Sequence, residues 1–158
     1  MLHSTTVGQV LDLYISVKGK GREKKEFIDV DANGILDDKF YAKDTNRAIL
    51  LTSKDSYSLA KKNGIDVEYG LLGENILIDI NLYDLKVGDK LCIGDTELEI
   101  TQNCTICNSL SKIDKRLPSV LSCDRGIFAK TVVDAKIKKG DKVILKSSKK
   151  GYTKWKNY

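Results

Sequence analysis

The segment Cys104-Thr105-Ile106-Cys107 sets two sulfurs three residues apart, a spacing that puts both on one face of the segment if it is helical. The flanking pattern predicts such a helix. Ile106, Leu110, Ile113 and Leu117 fall at helical spacing, with Asn103 as an N-cap and Pro118, the one proline, following the last of them. A thiol in a first helical turn feels unpaired backbone amides and the positive end of the helix dipole, so its thiolate is favoured. Lys112, Lys115, Arg116 and Arg125 stand where they would add positive potential. A thiolate of this kind carries sulfur as a persulfide or ligates a soft metal.

Three other uses of the pair have to be weighed. Structural zinc needs four ligands, and the rest of the chain offers only Cys92, Cys123 and the sole histidine, His3, with no second Cys-x-x-Cys. A thioredoxin-like redox pair belongs between the strand and helix of a βαβ unit, whereas this chain reads as mostly β. The plainest alternative is two small thiols buried at a helix start. Cys92, between Leu91 and Ile93, reads as packing, Cys123 as burial near the pair, and His3 as terminal and without a role.

Glu74 and Asn75 follow Gly73 at the start of an apolar run, where they either orient a ligand at a strand edge or only turn the chain. Arg47 and Arg125 are two of four arginines in a lysine-dominated set. Because arginine grips a phosphate or carboxylate through two parallel bonds, each is an anion-site candidate, with a surface ion pair as the alternative.

The elements that must position these residues are mainly strands. Leu11, Leu13, Ile15 and Val17 alternate with Asp12, Tyr14 and Ser16, the pattern of a half-buried strand. The alternation returns at Ile76, Ile78 and Ile80, and at Leu91 and Ile93. Leu98 and Ile100 follow across a Gly94-Asp95 hairpin turn, then Ile127 to Val133, then Val143 and Leu145. Short strands separated by Gly-Asp turns indicate a β-rich barrel or sandwich. Leu85–Leu91 and Ile137–Val143 echo each other, each a Gly-Asp turn feeding a strand, which is too short for a repeat architecture. Ser53 caps a second predicted helix through Lys61, stopped by Asn63-Gly64, and the charged, glycine-rich stretch from Lys18 to Glu26 reads as an exposed hairpin or loop.

At 158 residues, 41% hydrophobic and 31% charged, the chain suits one globular domain with its own core. No apolar run is long enough for a membrane span. Met1-Leu2-His3-Ser4-Thr5-Thr6 lacks the pattern of a secretory signal, so a cytoplasmic protein with reduced thiols is expected. The net charge of +5 is modest. Its excess gathers in Lys146, Lys149, Lys150, Lys154 and Lys156, with Tyr152 and Trp155 interleaved and no nucleic-acid fold signature. Residues 1–146 therefore read as the domain and 147–158 as a solvated basic tail, and nucleic acid is not the expected partner.

Several blocks, in order, resemble the MOSC family, named for the C-terminal domain of molybdenum-cofactor sulfurases. They are Gly73-Glu74-Asn75-Ile76, then Leu85-Lys86-Val87-Gly88-Asp89-Lys90-Leu91-Cys92-Ile93-Gly94, then Leu98-Glu99-Ile100-Thr101. The cysteine pair follows, and finally Arg125-Gly126-Ile127-Phe128-Ala129-Lys130 and Gly140-Asp141-Lys142-Val143. Upstream, Gly34-Ile35-Leu36-Asp37-Asp38 is similar to the family's Gly-Leu-Glu-Gly-Asp stretch, and Arg47-Ala48-Ile49-Leu50-Leu51 to its Arg-led strand. The likeness runs from about Val7 to Lys146 and is strongest to the short, stand-alone bacterial members. The chain departs from the pattern at Asn103, where many members have proline, and at Asp37, where they have glycine. It also lacks the arginine-bearing stretch that precedes Glu74-Asn75 in the larger reductase members.

The resemblance implies a mainly β fold, a closed or partly closed mixed β-barrel with a few short helices. It implies a cysteine that carries a persulfide or ligates molybdenum in a bound pterin cofactor. Cys107 matches the second cysteine of the fuller pattern, and in other short members a single cysteine matches Cys104. The function so implied is that of a sulfur carrier or molybdenum-cofactor-binding protein, in its enzymatic form a sulfurtransferase or a molybdenum-dependent reductase. Glu74, Asn75, Arg47 and Arg125 would face the cofactor, and the partner would be a sulfur donor or a molybdoenzyme. Pyridoxal phosphate belongs to the family only at large, because no desulfurase domain fits in this length. The alternative is a non-catalytic binding or adaptor module that keeps the fold.

Overall fold

A strand whose alternate residues are apolar hides one face from water, and enough such strands joined in sequence remove the exposed sheet edge by closing on themselves. The structure, a computed structural model, describes residues 3–104, 109–122 and 124–147. Eleven strands occur among them. These are β1 His3–Val17, β2 Gly21–Lys25, β3 Phe27–Asp31, β4 Gly34–Ile35, β5 Ile49–Ser53, β6 Ile76–Ile78, β7 Lys90–Ile93, β8 Thr96–Asn103, β9 Ile127–Val133, β10 Ala135–Lys138 and β11 Lys142–Ser147. The helices are α1 Lys54–Lys62, α2 Ser109–Ile113 and α3 Leu117–Val120, with a 3₁₀ turn at Thr45–Arg47.

Seven strands form a closed mixed barrel in the order β11-β7-β8-β9-β5-β6-β1, with β1 pairing back onto β11 and β2 attached to β1. The β5–β6 pair is parallel and its neighbours are antiparallel. A smaller sheet, β10-β3-β4, stands beside the barrel. The core fills with the alternating residues expected of it, among them Leu13, Ile15, Ile76, Ile78, Leu91, Ile93, Leu98 and Ile100. The Gly94-Asp95 hairpin joins β7 to β8, and Lys18–Lys20 turns β1 into β2, as the sequence predicts. No helix among the described residues is long and apolar enough to cross a membrane.

Strand β1 differs from its expectation. Its register shifts between Val10 and Asp12 where it pairs with β6, so Val10 and Leu13 enter the barrel core while Leu11 packs on the other side with Tyr14. That other side is covered as well. Tyr14 joins Tyr57 and Ala60 of α1, Leu72, Leu77, and Leu110, Leu117 and Leu121 of the α2–α3 region in a second apolar layer. Strand β1 is therefore buried on both faces rather than half-buried, and Asp12 and Ser16 are each only 8% exposed.

The predicted long helix after Asn103 is not formed. Strand β8 continues through Asn103, which is its last residue and no N-cap, and the Cys104 amide still donates to the Gly126 carbonyl at 2.9 Å. Pairing with β9 outcompetes the helical periodicity there. The apolar residues Leu110 and Leu117 serve two short helices instead, with Pro118 inside the first turn of α3, where its missing amide hydrogen costs nothing. The shorter prediction holds. Helix α1 starts after Ser53, whose hydroxyl accepts from the Asp55 amide at 3.0 Å, and stops at Asn63.

Candidate functional site

One cavity of about 720 Å³ opens at the end of the barrel where β1, β2, β5 and β9 meet the segment following β4. Its lining includes Ser16 and Arg22 from the β1–β2 hairpin, Leu50 of β5, Gly73 and Asn75, and Arg125 and Phe128 at the start of β9. Lys39, Phe40, Lys43, Asp44, Arg47 and Ala48 complete it. Five cationic side chains thus face a space that a single lining carboxylate, Asp44, shares. Asp44 is also committed to structure, because its side chain accepts from the Asn46 amide at 3.0 Å and caps the 3₁₀ turn.

The inner cations are held rigidly. Arg125, 7% exposed, donates through Nε and Nη2 to the Leu72 carbonyl at 3.3 and 3.0 Å. Its own carbonyl accepts from the Thr52 hydroxyl at 2.9 Å and from the Tyr83 phenol at 3.4 Å. Arg22 donates to the Gly70 carbonyl at 3.0 Å, to the Ser16 hydroxyl at 2.9 Å and to the Glu74 carbonyl, and its guanidinium lies 5.6 Å from the Tyr14 ring centre. Burial lowers its pKa, and the nearby Glu74 carboxyl opposes that. These guanidinium groups bond carbonyls, which leave their positive charge in place, so both still project a cationic field into the cavity. Arg47 is different: it lies over the Phe128 ring at 5.0 Å and is exposed.

Of the residues singled out by sequence, Arg47, Arg125 and Asn75 all come together in this cavity. Asn75 serves the scaffold there. Its Oδ1 accepts from the Leu50 amide at 3.0 Å and its Nδ2 donates to the Tyr14 carbonyl at 3.2 Å, while its backbone bonds the same two residues. The side chain fills the gap between β1 and β5 just before β6 begins to join them. Glu74 lies behind the wall, fully buried. One carboxyl oxygen accepts from the Tyr57 phenol at 2.6 Å and the Gly70 amide at 3.2 Å, and the other has no partner among the described residues. Burial raises its pKa, so the protonated form is favoured; the Tyr57 bond partly offsets this.

Cys104 is 6% exposed and packs in a cluster with Leu50 and Phe128, both of which line the cavity. It sits on a strand extension, so the expected helix-dipole activation does not apply to it. Cys107 and Cys123 lie outside the described residues, as does the tail beyond Ser147. Cys92 is half-buried on the outer side of β7, between the core residues Leu91 and Ile93, and burial pushes its thiol pKa up. His3 begins β1 opposite Ser147. Arg116 makes the surface ion pair with Asp114, at 2.9 Å, and holds that carboxyl down at about 2.

Sequence reasoning missed Arg22, Lys39, Phe40 and Lys43. For Arg22 the signal existed, since the scarcity of arginine that singled out Arg47 and Arg125 applies equally to it, but its charged hairpin reads as solvent-exposed. Lys39, Phe40 and Lys43 reach the cavity through a turn-rich segment with no periodicity to reveal it. That segment is pinned by Asp38, 5% exposed, whose carboxylate accepts from the Ser16 amide at 2.7 Å and the Phe40 amide at 3.2 Å. Its neighbour Asp37 has φ 70°, a left-handed conformation in which glycine is unstrained.

Comparison with known proteins agrees with this architecture. The model of the MOSC domain family matches residues 37–144. The fold is similar to that of the YUAD protein from Bacillus subtilis, with a TM-score of 0.77, 18% identity, and 94% of this chain and 100% of that chain covered. It is also similar to YiiM from Escherichia coli, with a TM-score of 0.68, 16% identity and coverage of 90% and 71%. For YiiM from Geobacillus stearothermophilus the TM-score is 0.63, the identity 15% and the coverage 90% and 75%. None of the curated proteins matches the sequence.

Proposed function

The chain belongs to the MOSC domain family, and from that premise we propose that it binds an anionic, phosphate-bearing molybdenum cofactor or carries sulfur for it, with a thiolate of the Cys104/Cys107 pair making the bond. The observation that carries this reading is the cavity itself: five cations against one carboxylate, with Cys104 packed behind its Leu50–Phe128 wall. Such a field suits a multiply charged anion.

The donor set fits a cofactor that arrives with its metal already chelated. Among the described residues no cluster of three or more His, Cys, Asp or Glu side chains is placed to hold a metal ion, so the protein would add one soft sulfur ligand to an organic chelate. Arg125, Arg47 and Arg22 would hold the cofactor's anionic groups, and Leu50 and Phe128 would exclude water from the sulfur. When bound, the cofactor supplies two-electron oxygen or sulfur transfer. In the carrier form of the reading, the cysteine thiolate attacks the terminal sulfur of a donor persulfide. A new S–S bond forms on this chain, and the donor leaves as a thiolate, so no outside oxidant is needed. The reading places the protein in the cytoplasm, where thiols stay reduced, with a sulfur donor or a molybdoenzyme as its partner.

The test is expression in a host that makes the cofactor. The purified protein should contain molybdenum and release a fluorescent pterin on oxidation, or should gain one sulfur at Cys104 or Cys107 after exposure to a persulfide donor. Arg47→Gln should lower the load and the double variant Cys104→Ser/Cys107→Ser should abolish it. Neither metal, pterin nor added sulfur in the wild type would sink the reading.

A further inference from the structure

The cofactor reading uses the inner wall of the cavity, where Arg22 and Arg125 are fixed and Leu50 and Phe128 back Cys104. The outer wall has a different construction. Lys39, Phe40 and Lys43 come from one short segment after β4, and all three line the cavity. Phe40 is 52% exposed, with the Lys39 ammonium 5.0 Å from its ring centre. Among the described residues, no salt bridge or side-chain hydrogen bond engages the ammonium of Lys39 or Lys43.

The exposure of Phe40 does not come from a loose chain. Asp38 accepts its amide, the Lys39 amide donates to the Ser16 carbonyl at 2.7 Å, the Lys43 amide to the Phe40 carbonyl at 3.1 Å, and the Ala42 amide to the Asn33 carbonyl at 2.8 Å. Ala42 is held at φ 60° by this bonding, a left-handed conformation that is strained for a residue with a Cβ. The segment is therefore fixed in a form that presents an aromatic ring to a cavity, with the Lys39 ammonium resting against that ring and the Lys43 ammonium on the same cavity wall. Burying such a ring is favourable, and the fold leaves it half in water.

We propose that this outer wall is a substrate subsite and that the substrate is a planar aromatic or heteroaromatic anion. Its ring stacks on the open face of Phe40, and its anionic group sits between Lys39 and Lys43. A neutral ring would use Phe40 alone and an aliphatic anion the lysines alone, so the wall selects for ligands that carry both features. The proposal rests on the cofactor reading only in giving this ligand the part of substrate.

Adenosine 5′-monophosphate serves as a probe of this chemistry, with adenosine and inorganic phosphate as its two halves, titrated calorimetrically into the full chain. The monophosphate should bind about tenfold tighter than either half. Phe40→Leu, at an exposed position that leaves the core intact, should lower its affinity about tenfold and leave inorganic phosphate within about twofold. Lys43→Gln should weaken both. Because the chain has three phenylalanines, selective labelling resolves where the base lies, and its protons should show a nuclear Overhauser contact to the Phe40 ring. A monophosphate no tighter than phosphate, or a contact to Phe128 in place of Phe40, would overturn the subsite. Molybdenum and pterin content of Phe40→Leu should match wild type, which separates this result from failure of the cofactor reading.

Discussion

The Cys104 amide donates to the Gly126 carbonyl across 2.9 Å, so the first residue of the cysteine pair is positioned by strand pairing, one residue along from Arg125. Gly126 is at that point because β9 passes close to β5. A Cβ there would lie 2.7 Å from the Leu51 carbonyl oxygen and 2.8 Å from the Thr52 hydroxyl. Gly126→Ala should destabilise the protein by about 1–3 kcal/mol in urea unfolding, as overpacked positions do. It should also speed the reaction of Cys104 with a thiol reagent. Unchanged stability and an unchanged labelling rate would mean that this close approach does not hold Cys104 in place.

Asp37 should be replaceable at a profit in stability. Its φ of 70° and exposed position mean that Asp37→Gly removes backbone strain and no buried contact. The gain, net of the larger entropy of glycine in the unfolded chain, should be about 0.5–1 kcal/mol, read as a Tm higher by about 1–4 °C. A lower Tm would contradict it.

Asn75→Ala removes the acceptor of the Leu50 amide and the donor to the Tyr14 carbonyl, both buried. Two unsatisfied backbone groups should cost about 2–4 kcal/mol. A loss below 1 kcal/mol, measured by chemical denaturation, would show that the Asn75 side chain does not bridge β1 and β5.

Glu74 makes stability depend on pH in a defined direction. Its folded pKa is raised above the ordinary 4.5 by burial, so the folded state holds this proton more tightly than the unfolded chain does. The stabilisation is complete below that ordinary value and is lost as pH climbs toward the folded pKa. Glu74→Gln keeps an acceptor for the Tyr57 phenol and has no proton to lose. The stability of Glu74→Gln relative to wild type should therefore rise from pH 4.5 upward and then level off. A flat difference across that range would show that Glu74 does not titrate differently on folding.

The barrel was legible because period-two alternation reports burial directly: Ile76, Ile78, Leu91, Ile93, Leu98 and Ile100 all enter the core as their pattern implies. Helix α1 was legible through the Ser53 cap and the Asn63-Gly64 stop. The segment around the cysteines was not, since Leu110 and Leu117 keep helical spacing whether they belong to one helix or two, and a cross-strand bond to Gly126 leaves no mark on local sequence. The second layer over β1 was hidden for the same reason. Asp12, Tyr14 and Ser16 look like a solvent face, but helices from later in the chain cover Tyr14, Lys24 and Lys139 pair with Asp12, and Arg22 bonds the Ser16 hydroxyl. Two of the five cavity cations, Arg47 and Arg125, followed from arginine chemistry, and the rest from a convergence of loops that only three dimensions reveal.

Closure of the barrel also decides where this molecule can be approached by other backbones. The β1–β11 seam uses up the main-chain donors and acceptors that an open sheet would offer, leaving β2 and the ends of the small β10-β3-β4 sheet as the exposed margins. Those margins carry Lys24 and Lys25 on β2 and Lys136 and Lys138 on β10. A neighbouring strand that tried to add there would have to bring its own backbone against a row of ammonium groups, so the protein resists sheet-to-sheet aggregation by charge where it does not resist it by geometry.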